Sequence, residues 1–245
     1  MANPGPVAAR FDVRAAMSAL ELPFVTQKLL VINPNTNPRV TERIRTVAAQ
    51  LACRDSIIDV RNPHEGPISI ETSMDRAAAE PRVIEMIRQS SLEGTHGFVL
   101  ACFDDIGVAE ARRLAPGPVI DACEAGIIAA RCLTDQFAIV TTVESAVARI
   151  KTLVSHYSSG SCCTIRAAGI GVADAASGEG AERLHAVIAK SLECDRAKAI
   201  ILGSGGLTGQ ADDLSRHFGI PVIDGVGAAI SICLSILRLK LSYAF

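Results

Sequence analysis

The chain contains no tryptophan, few aromatic residues of any kind (4%) and no long run of basic residues. With a net charge of −2, it lacks the positive surface that attracts nucleic acids and anionic membranes, so we expect neither as a partner. Its eight cysteines include no C-x-x-C or C-x-x-x-C pair, and their spacing fits neither a zinc site nor a disulfide-rich secreted scaffold. We therefore expect no metal, and free thiols as in a cytoplasmic protein.

Long hydrophobic runs are missing as well. The longest apolar run, residues 226–237, is too short to cross a bilayer. It predicts a buried helix that either covers the first half of the chain or lies in a subunit contact. Residues 1–27 mix proline, alanine, arginine and aspartate without periodicity, and we interpret them as an N-terminal extension.

Small and aliphatic residues are abundant, and 49% of the chain is hydrophobic. Short apolar stretches alternate with longer segments of helical periodicity, which is typical of parallel sheets covered by helices and joined by right-handed crossovers. Eight strands are predicted, at residues 28–33, 56–62, 97–103, 117–122, 137–142, 163–169, 199–204 and 220–224. Residues 170–178 are predicted as a loop.

Two segments of the chain resemble each other. Residues 97–122 and 199–225 both run from an apolar strand through a polar loop and a helix to the tetrapeptide Pro-Val-Ile-Asp. Cys102 and Ser204 hold equivalent positions at the ends of the two strands. This internal repeat predicts an α/β protein of two similar halves.

The repeat also predicts where the domains divide and where a ligand binds. We expect residues 28–122 with 225–245 to form one lobe and residues 123–224 to form the other. Ligands of open parallel sheets bind beyond the carboxyl ends of the strands. A cleft between two such lobes, lined by four strand ends, is therefore the expected site.

The glycine-rich loop of the second repeat has two interpretations. Gly203, Gly205 and Gly209 followed by Asp224 resemble a dinucleotide-binding turn. Against this, the chain has room for only one more helix after Asp224, and the equivalent loop of the first repeat carries two acidic residues that would repel a phosphate. In the second interpretation the loop faces Cys102 across an acid/base site, and its backbone N–H groups hold a developing oxyanion. A thiol at a helix N-terminus has a lowered pKa, which would let Cys102 act as the base.

Four stretches carry a resemblance to a known family: "VINPNT" (31–36), "VLACFDD" (99–105), "AIVTT" (138–142) and "IILGSGG" (200–206). They resemble the Asp/Glu racemase superfamily, and within it the hydantoin and allantoin racemase branch. The resemblance spans residues 28–237 and implies two flavodoxin-like lobes without metal, flavin or pyridoxal phosphate. It also implies that two cysteines on opposite faces of the substrate move a proton at a carbon next to a carbonyl.

The resemblance places the first cysteine at Cys102 and puts Ser204 where the second would stand. We expect these two residues to be catalytic. The expected substrate contacts come from the strand ends and the helix that follows the first Pro-Val-Ile-Asp: Asn33, Asn35, Thr36, Phe103, Asp104, Thr141, Thr142, Glu124, Gly205 and Gly206. Asparagine and threonine in such loops are also ordinary turn and capping residues. The loop residues Ser69, Glu71 and Ser73 are candidates for a lid.

Ser204 leaves alternatives open, because a hydroxyl accepts a proton poorly without an adjacent base. It is an engineered replacement of a cysteine, a natural one-base variant, or a serine that hydrogen-bonds the substrate. The predicted function is a cofactor-independent racemase of 5-substituted hydantoins or a related cyclic ureide such as allantoin, in a homo-oligomer. A one-base decarboxylase or isomerase and an inactive small-molecule binding protein are the alternatives.

Overall fold

The computed structural model describes residues 26–157 and 164–239. Most of the predicted N-terminal extension, residues 1–25, lies outside the described residues, as do Cys162 and Cys163. The described chain forms two four-stranded sheets with helices packed on them, and all neighbouring strands are parallel. The predicted α/β class with two lobes is confirmed.

The first sheet has the strand order β2-β1-β3-β4. Its strands are β1 (Gln27–Ile32), β2 (Ser56–Arg61), β3 (Gly97–Leu100) and β4 (Val119–Asp121). The helices between these strands are α1 (Pro38–Leu51), α2 (Ser73–Leu92) and α3 (Val108–Leu114). Helix α2 begins at a capping box, in which the Thr72 hydroxyl accepts the N–H of Asp75 and the Asp75 carboxylate accepts the N–H of Thr72.

The second sheet repeats this arrangement with the order β6-β5-β7-β8. Its strands are β5 (Phe137–Thr141), β6 (Thr164–Ala167), β7 (Ala199–Leu202) and β8 (Val222–Asp224). The associated helices are α5 (Val147–Tyr157), α6 (Val172–Ser177), α7 (Ala181–Glu193) and α8 (Ala211–Phe218). A 3-10 turn precedes α5 (Glu144–Ala146), and another lies between β7 and α8 (Gly205–Leu207).

Two further helices, α4 (Ala122–Arg131) and α9 (Gly225–Arg238), follow the two Pro-Val-Ile-Asp segments. Each begins at an aspartate that accepts backbone N–H groups of the first turn, Asp121 in α4 and Asp224 in α9. Helix α4 leaves the first sheet and packs on β7 and β8 of the second, whereas α9 leaves the second sheet and packs on β1, β3 and β4 of the first. The predicted buried helix at 226–237 thus covers the first half of the chain, and the predicted division into lobes (28–122 with 225–245; 123–224) stays a prediction.

The structure corrects two details of the predicted elements. Residues 170–178 are not a loop throughout, because they contain α6. The predicted strand at 97–103 ends at Leu100, so Cys102 and Phe103 lie in the turn that follows it. The side chains that matter for the cleft are therefore held by loops beyond the strand ends, where the backbone is free to turn toward a ligand.

Candidate active site

A cleft between the lobes opens at the carboxyl ends of the central strands, and its empty space, including the open mouth, is about 490 Å³. It lies where the rule for parallel sheets predicts a ligand site. The first lobe contributes to its lining Asn35, Ile70, Ala101, Cys102, Phe103 and Asp104. The second lobe contributes Thr141, Thr142, Val143, Ala146, Arg149, Ile150, Val172, Gly203, Ser204 and Gly205.

The cleft brings the predicted pair Cys102 and Ser204 together from opposite lobes. Cys102 follows β3 and Ser204 follows β7, the equivalent strand of the other sheet. The two loops approach closely, since a Cβ atom on Gly205 would lie 3.4 Å from the carbonyl oxygen of Ala101. The cleft can therefore present a thiol and a hydroxyl to the same small ligand.

Cys102 is partly exposed, and its surroundings disfavour the thiolate. Burial is the largest cause that raises the pKa of its thiol, and the negative charges of Asp104 and Asp121 raise it further. The backbone N–H of Asp104 and the charge of Arg76 act in the opposite direction. The expectation of a pKa lowered by a helix N-terminus is wrong, because α3 begins only at Val108 and the thiol lies in the preceding turn.

The Ser204 hydroxyl accepts two hydrogen bonds, which leaves it free to donate one. Its Oγ accepts the hydroxyl proton of Thr142 at 3.1 Å and the N–H of Gly206 at 3.3 Å. With both lone pairs occupied, the hydroxyl has its own proton left to offer. The Gly206 N–H, expected to contact the substrate, is directed to Ser204 instead, whereas the Gly205 N–H donates to no described atom and remains available to an oxygen in the cleft.

Of the two predicted asparagines after β1, Asn33 stabilises the loop and Asn35 lines the cleft. Asn33 is wholly buried and bonds to Asn35 and Thr41, so it fixes the loop without reaching the cleft. Asn35 lines the cleft, and its Oδ1 accepts from Asn33 and from the N–H of Asn37. Its Nδ2 group donates to none of the described residues, which makes it an available amide donor.

Thr36, predicted as a substrate contact, lies away from the cleft. Its backbone N–H and its hydroxyl both donate to the carbonyl of Pro67. These bonds tether the loop that carries Ile70 and Glu71. Thr36 thus holds that loop in place, and its predicted contact with a substrate stays a prediction.

Thr141 and Thr142 line the other side of the cleft, as predicted. The Thr141 hydroxyl donates to the carbonyl of Gly203 at 2.8 Å, which ties β5 to the loop after β7. Thr142 supports Ser204 through the bond described above. Both hydroxyls therefore position the glycine-rich loop.

Phe103 both lines the cleft and packs in its floor. Its ring would lie 3.2 to 3.5 Å from Cβ atoms added to Gly225, Gly126 and Gly203. These three glycines leave the space that the ring occupies between the lobes. The ring is buried at 5% exposure, so it forms part of the joint between the sheets as well as of the cleft wall.

Asp104 is bracketed by two arginines that the sequence did not single out. Arg76 of α2 approaches Oδ2 at 3.1 Å, and Arg149 of α5 approaches Oδ1 at 3.0 Å. The pair comes from different lobes, and Arg149 also lines the cleft. No sequence signal links these three positions, because they come together only when the lobes meet.

Glu124 does not reach the cleft, although it was expected to contact the substrate. Its carboxylate forms an ion pair with Arg112 of α3. Its place in the first turn of α4 fits the preference of acidic residues for helix N-termini. Its role toward a substrate stays a prediction.

The loop before α2 joins the lobes at the mouth of the cleft. The Glu71 carboxylate accepts the N–H of Val172 at 3.1 Å, and the Glu71 carbonyl accepts the hydroxyl of Ser145 at 2.9 Å. Ile70, its neighbour, lines the cleft. Of the three predicted lid residues, Glu71 is thus the one that bonds across the cleft.

Across residues 26–157 and 164–239, no helix is both long and apolar enough to span a membrane. The same residues contain no group of three or more histidine, cysteine or acidic side chains placed to hold a metal ion. The side chains that line the described cleft offer a thiol, hydroxyls, an amide, a carboxylate and an arginine for binding and proton transfer.

Comparisons with known proteins agree with this arrangement. A hydantoin racemase from Rhizobium meliloti is 34% identical over 212 residues, which cover 84% of this chain and 87% of that protein. A hydantoin racemase from Pseudomonas sp. (strain NS671) is 35% identical over 215 residues, 86% of each chain. The structure of an allantoin racemase from Klebsiella pneumoniae is 36% identical, has a TM-score of 0.85, and covers 89% of this chain and 90% of that one.

The family model described as Asp/Glu/hydantoin racemase matches residues 29–233, which include both sheets and both loops of the Cys102–Ser204 pair. The similarity to the two hydantoin racemases and to the allantoin racemase extends over at least 84% of this chain. The chain therefore belongs to the Asp/Glu/hydantoin racemase family.

Proposed function

We propose that this chain is a cofactor-independent racemase of 5-substituted hydantoins or of a related cyclic ureide such as allantoin. The observation that carries the proposal is the placement of Cys102 and Ser204 in the loops that follow equivalent strands, where both line one cleft from opposite lobes. The names of the relatives support the substrate class. A homo-oligomer and a cytoplasmic location are part of the same proposal.

In the proposed mechanism the Cys102 thiolate removes the proton from the stereocentre next to the ring carbonyl. The negative charge that develops on the carbonyl oxygen is held by donors aimed into the cleft, of which the Gly205 N–H and the Asn35 amide are available. Such donors stabilise an enolate most when they are fixed before the reaction. Return of the proton from the Cys102 side restores the starting isomer.

Inversion needs a proton from the opposite face, where Ser204 stands. The Ser204 hydroxyl has a proton to give, but a serine is a far weaker acid than a cysteine, so this step is slow. A second candidate function therefore has specific support: a one-base enzyme that exchanges or delivers a proton on the Cys102 face alone. The bonds that occupy both lone pairs of Ser204 leave it without a free acceptor for a substrate proton, which favours this candidate over an enzyme that abstracts protons on both faces.

The test follows the C5 proton of a hydantoin panel that includes allantoin, in D₂O at pH 7, by NMR and by chiral chromatography. Reactions without protein measure the spontaneous exchange of these acidic protons. Ser204→Cys should raise the rate of racemisation at least tenfold, since a thiol replaces a hydroxyl as the second acid, and Ser204→Ala should not. An unchanged rate in Ser204→Cys would refute the two-thiol mechanism for this chain.

Cys102→Ser serves as the second arm of the same test. It should abolish deuterium exchange at C5, and persistent exchange would remove Cys102 from its proposed role. Exchange with retained chirality in the unaltered chain would indicate the one-base enzyme. Binding without exchange would leave a small-molecule binding protein.

A further inference from the structure

Asp121, at the end of β4, is wholly buried, and only one of its two carboxyl oxygens has hydrogen-bond partners among the described residues. Its Oδ1 accepts the N–H groups of Cys123 and Glu124 at 2.8 and 3.2 Å and so caps α4. Its Oδ2 has no hydrogen-bond partner among the described residues. A buried carboxylate with an unpaired oxygen is costly, whereas a protonated carboxyl group is much less so.

The repeat provides an internal comparison. Asp224 occupies the same position in the second half and caps α9 through its Oδ1, which accepts the N–H groups of Val226 and Gly227. Its Oδ2 accepts the N–H of Gly209 at 2.7 Å. The capping role therefore requires no unpaired oxygen, and the half that leaves one unpaired is the half that carries Cys102.

Asp121 also lies near the thiol. It pairs with Leu100 across β3 and β4, two residues before Cys102, and neighbouring strands are about 4.8 Å apart. A negative charge on Asp121 raises the pKa of the Cys102 thiol. Burial in turn raises the pKa of Asp121 to about 8.

Two of the other carboxylates near Asp121 and Cys102 are paired with arginines, whereas Asp121, in the described part of the chain, is not. Asp104 is bracketed by its two arginines, and Glu124 is paired with Arg112. Asp105 and Glu124 add negative charge that further raises the pKa of Asp121. No ion pair to Asp121 is present among the described residues, so its charge would act on the cleft uncompensated.

The buried thiol of Cys123 and the phenol of Tyr157 complete the titratable groups near Asp121. The pKa values of both are raised, chiefly by burial, and the charge of Asp121 contributes. Both groups therefore stay neutral over the pH range in which Asp121 ionises. Neither group therefore changes its charge when Asp121 ionises.

We propose that Asp121 is a positioning residue for Cys102: its unpaired Oδ2 carries a proton, so that Cys102 can ionise without a second buried anion beside it. The inference rests on the proposed function, in which Cys102 is the base. Asp121 keeps its proton throughout the reaction, and only the Cys102 sulfur exchanges a proton with substrate. When Asp121 loses its proton to solvent at alkaline pH, its charge opposes the ionisation of Cys102. The rate of proton abstraction then rises with pH less steeply than it would without this carboxylate.

Asp121→Asn tests the inference because the amide oxygen still caps α4 and the side chain cannot ionise. The rate of alkylation of Cys102 by iodoacetamide is followed from pH 6 to 10 by mass spectrometry of the Cys102 peptide. At pH 9 the variant should react at least about threefold faster than the unaltered chain, since one negative charge near the thiol is gone. In the same variant the exchange rate should rise with pH above pH 8 more steeply than in the unaltered chain, in which Asp121 ionises near that pH.

Asp224→Asn is the matched control and should leave the alkylation profile of Cys102 unchanged. Asp121→Ser and Asp224→Ser supply a second pair of uncharged N-caps if an asparagine variant fails to give the native far-UV circular dichroism spectrum. Coinciding alkylation profiles of the Asp121 variants and the unaltered chain would overturn the inference. A Cys102→Ser chain that still exchanges the substrate proton would instead refute the proposed function, whereas the effect of Asp121 on alkylation would stand.

Discussion

The buried carboxyl group of Asp121 predicts that the free energy of unfolding falls as the pH rises from about 4 to 8. The perturbation is again Asp121→Asn. In the folded chain burial raises the pKa of Asp121 from 3.8 to about 8, so the folded state keeps a proton that the unfolded chain has lost at neutral pH. Between these two values the unaltered chain should lose about 1.4 kcal/mol of unfolding free energy for each pH unit gained.

The magnitude at pH 7 follows from the same shift. Because pH 7 lies about 3 units above 3.8, taking up the proton costs the folded state about 4 kcal/mol. The asparagine variant escapes this cost. It gains a buried N–H group with no acceptor, which costs about 1–3 kcal/mol. The variant should therefore be more stable than the unaltered chain by about 1–3 kcal/mol at pH 7 and about equally stable at pH 5.

Urea unfolding at pH 5, 6, 7 and 8 measures this difference. Far-UV circular dichroism is the suitable signal, because the chain has no tryptophan and only two tyrosines. The decisive quantity is the slope of the stability difference with pH, since the cost of the unpaired amide does not change with pH. A difference that stays constant from pH 5 to 8 would show that Asp121 folds as a carboxylate and would refute the reasoning.

Two further predictions concern the cleft and the joint between the lobes. Glu71→Ala removes the acceptor of the Val172 N–H. It should raise KM several-fold in steady-state kinetics and change the midpoint of thermal unfolding little. Glu65→Ala, at an exposed position of the same loop, is the control, and equal KM values of the two variants would exclude a closing role for Glu71. Gly225→Ala places a Cβ atom 2.6 Å from the carbonyl oxygen of Ala122 and should destabilise the chain by about 1–3 kcal/mol in urea unfolding. Gly227→Ala is the control and should not, because its Cβ atom would lie 3.5 Å from its nearest neighbour. Similar unfolding midpoints for both variants would contradict the close approach of α4 and α9.

Much of the fold could be predicted because its signals are local or periodic. The alternation of apolar strands and amphipathic helices predicts parallel sheets, and each copy of Pro-Val-Ile-Asp ends in an aspartate suited to cap a helix. The meeting of Cys102 and Ser204 in one cleft also followed from the repeat, together with the rule that ligands bind at the carboxyl ends of parallel strands.

The features that escaped prediction depend on contacts between distant parts of the chain. Helix α6 has six residues, and its first N–H is satisfied by Glu71 of the other lobe, which no local pattern indicates. The ion pairs of Asp104 form only when α2 and α5 approach from different lobes. The pKa of Cys102 was wrongly expected to fall, because it depends on burial and on nearby carboxylates whose positions the sequence does not give.

The exchange of α4 and α9 between the sheets has a consequence for how such a chain could arise and fold. Each half donates its last helix to the other, so a single half, cut after α4, would lack the helix that covers its own sheet. Two identical halves could satisfy each other by reciprocal exchange, which makes the present chain equivalent to a domain-swapped dimer joined into one polypeptide. In this arrangement neither contiguous half of the chain completes a hydrophobic core alone, and the two halves should fold and unfold as one cooperative unit.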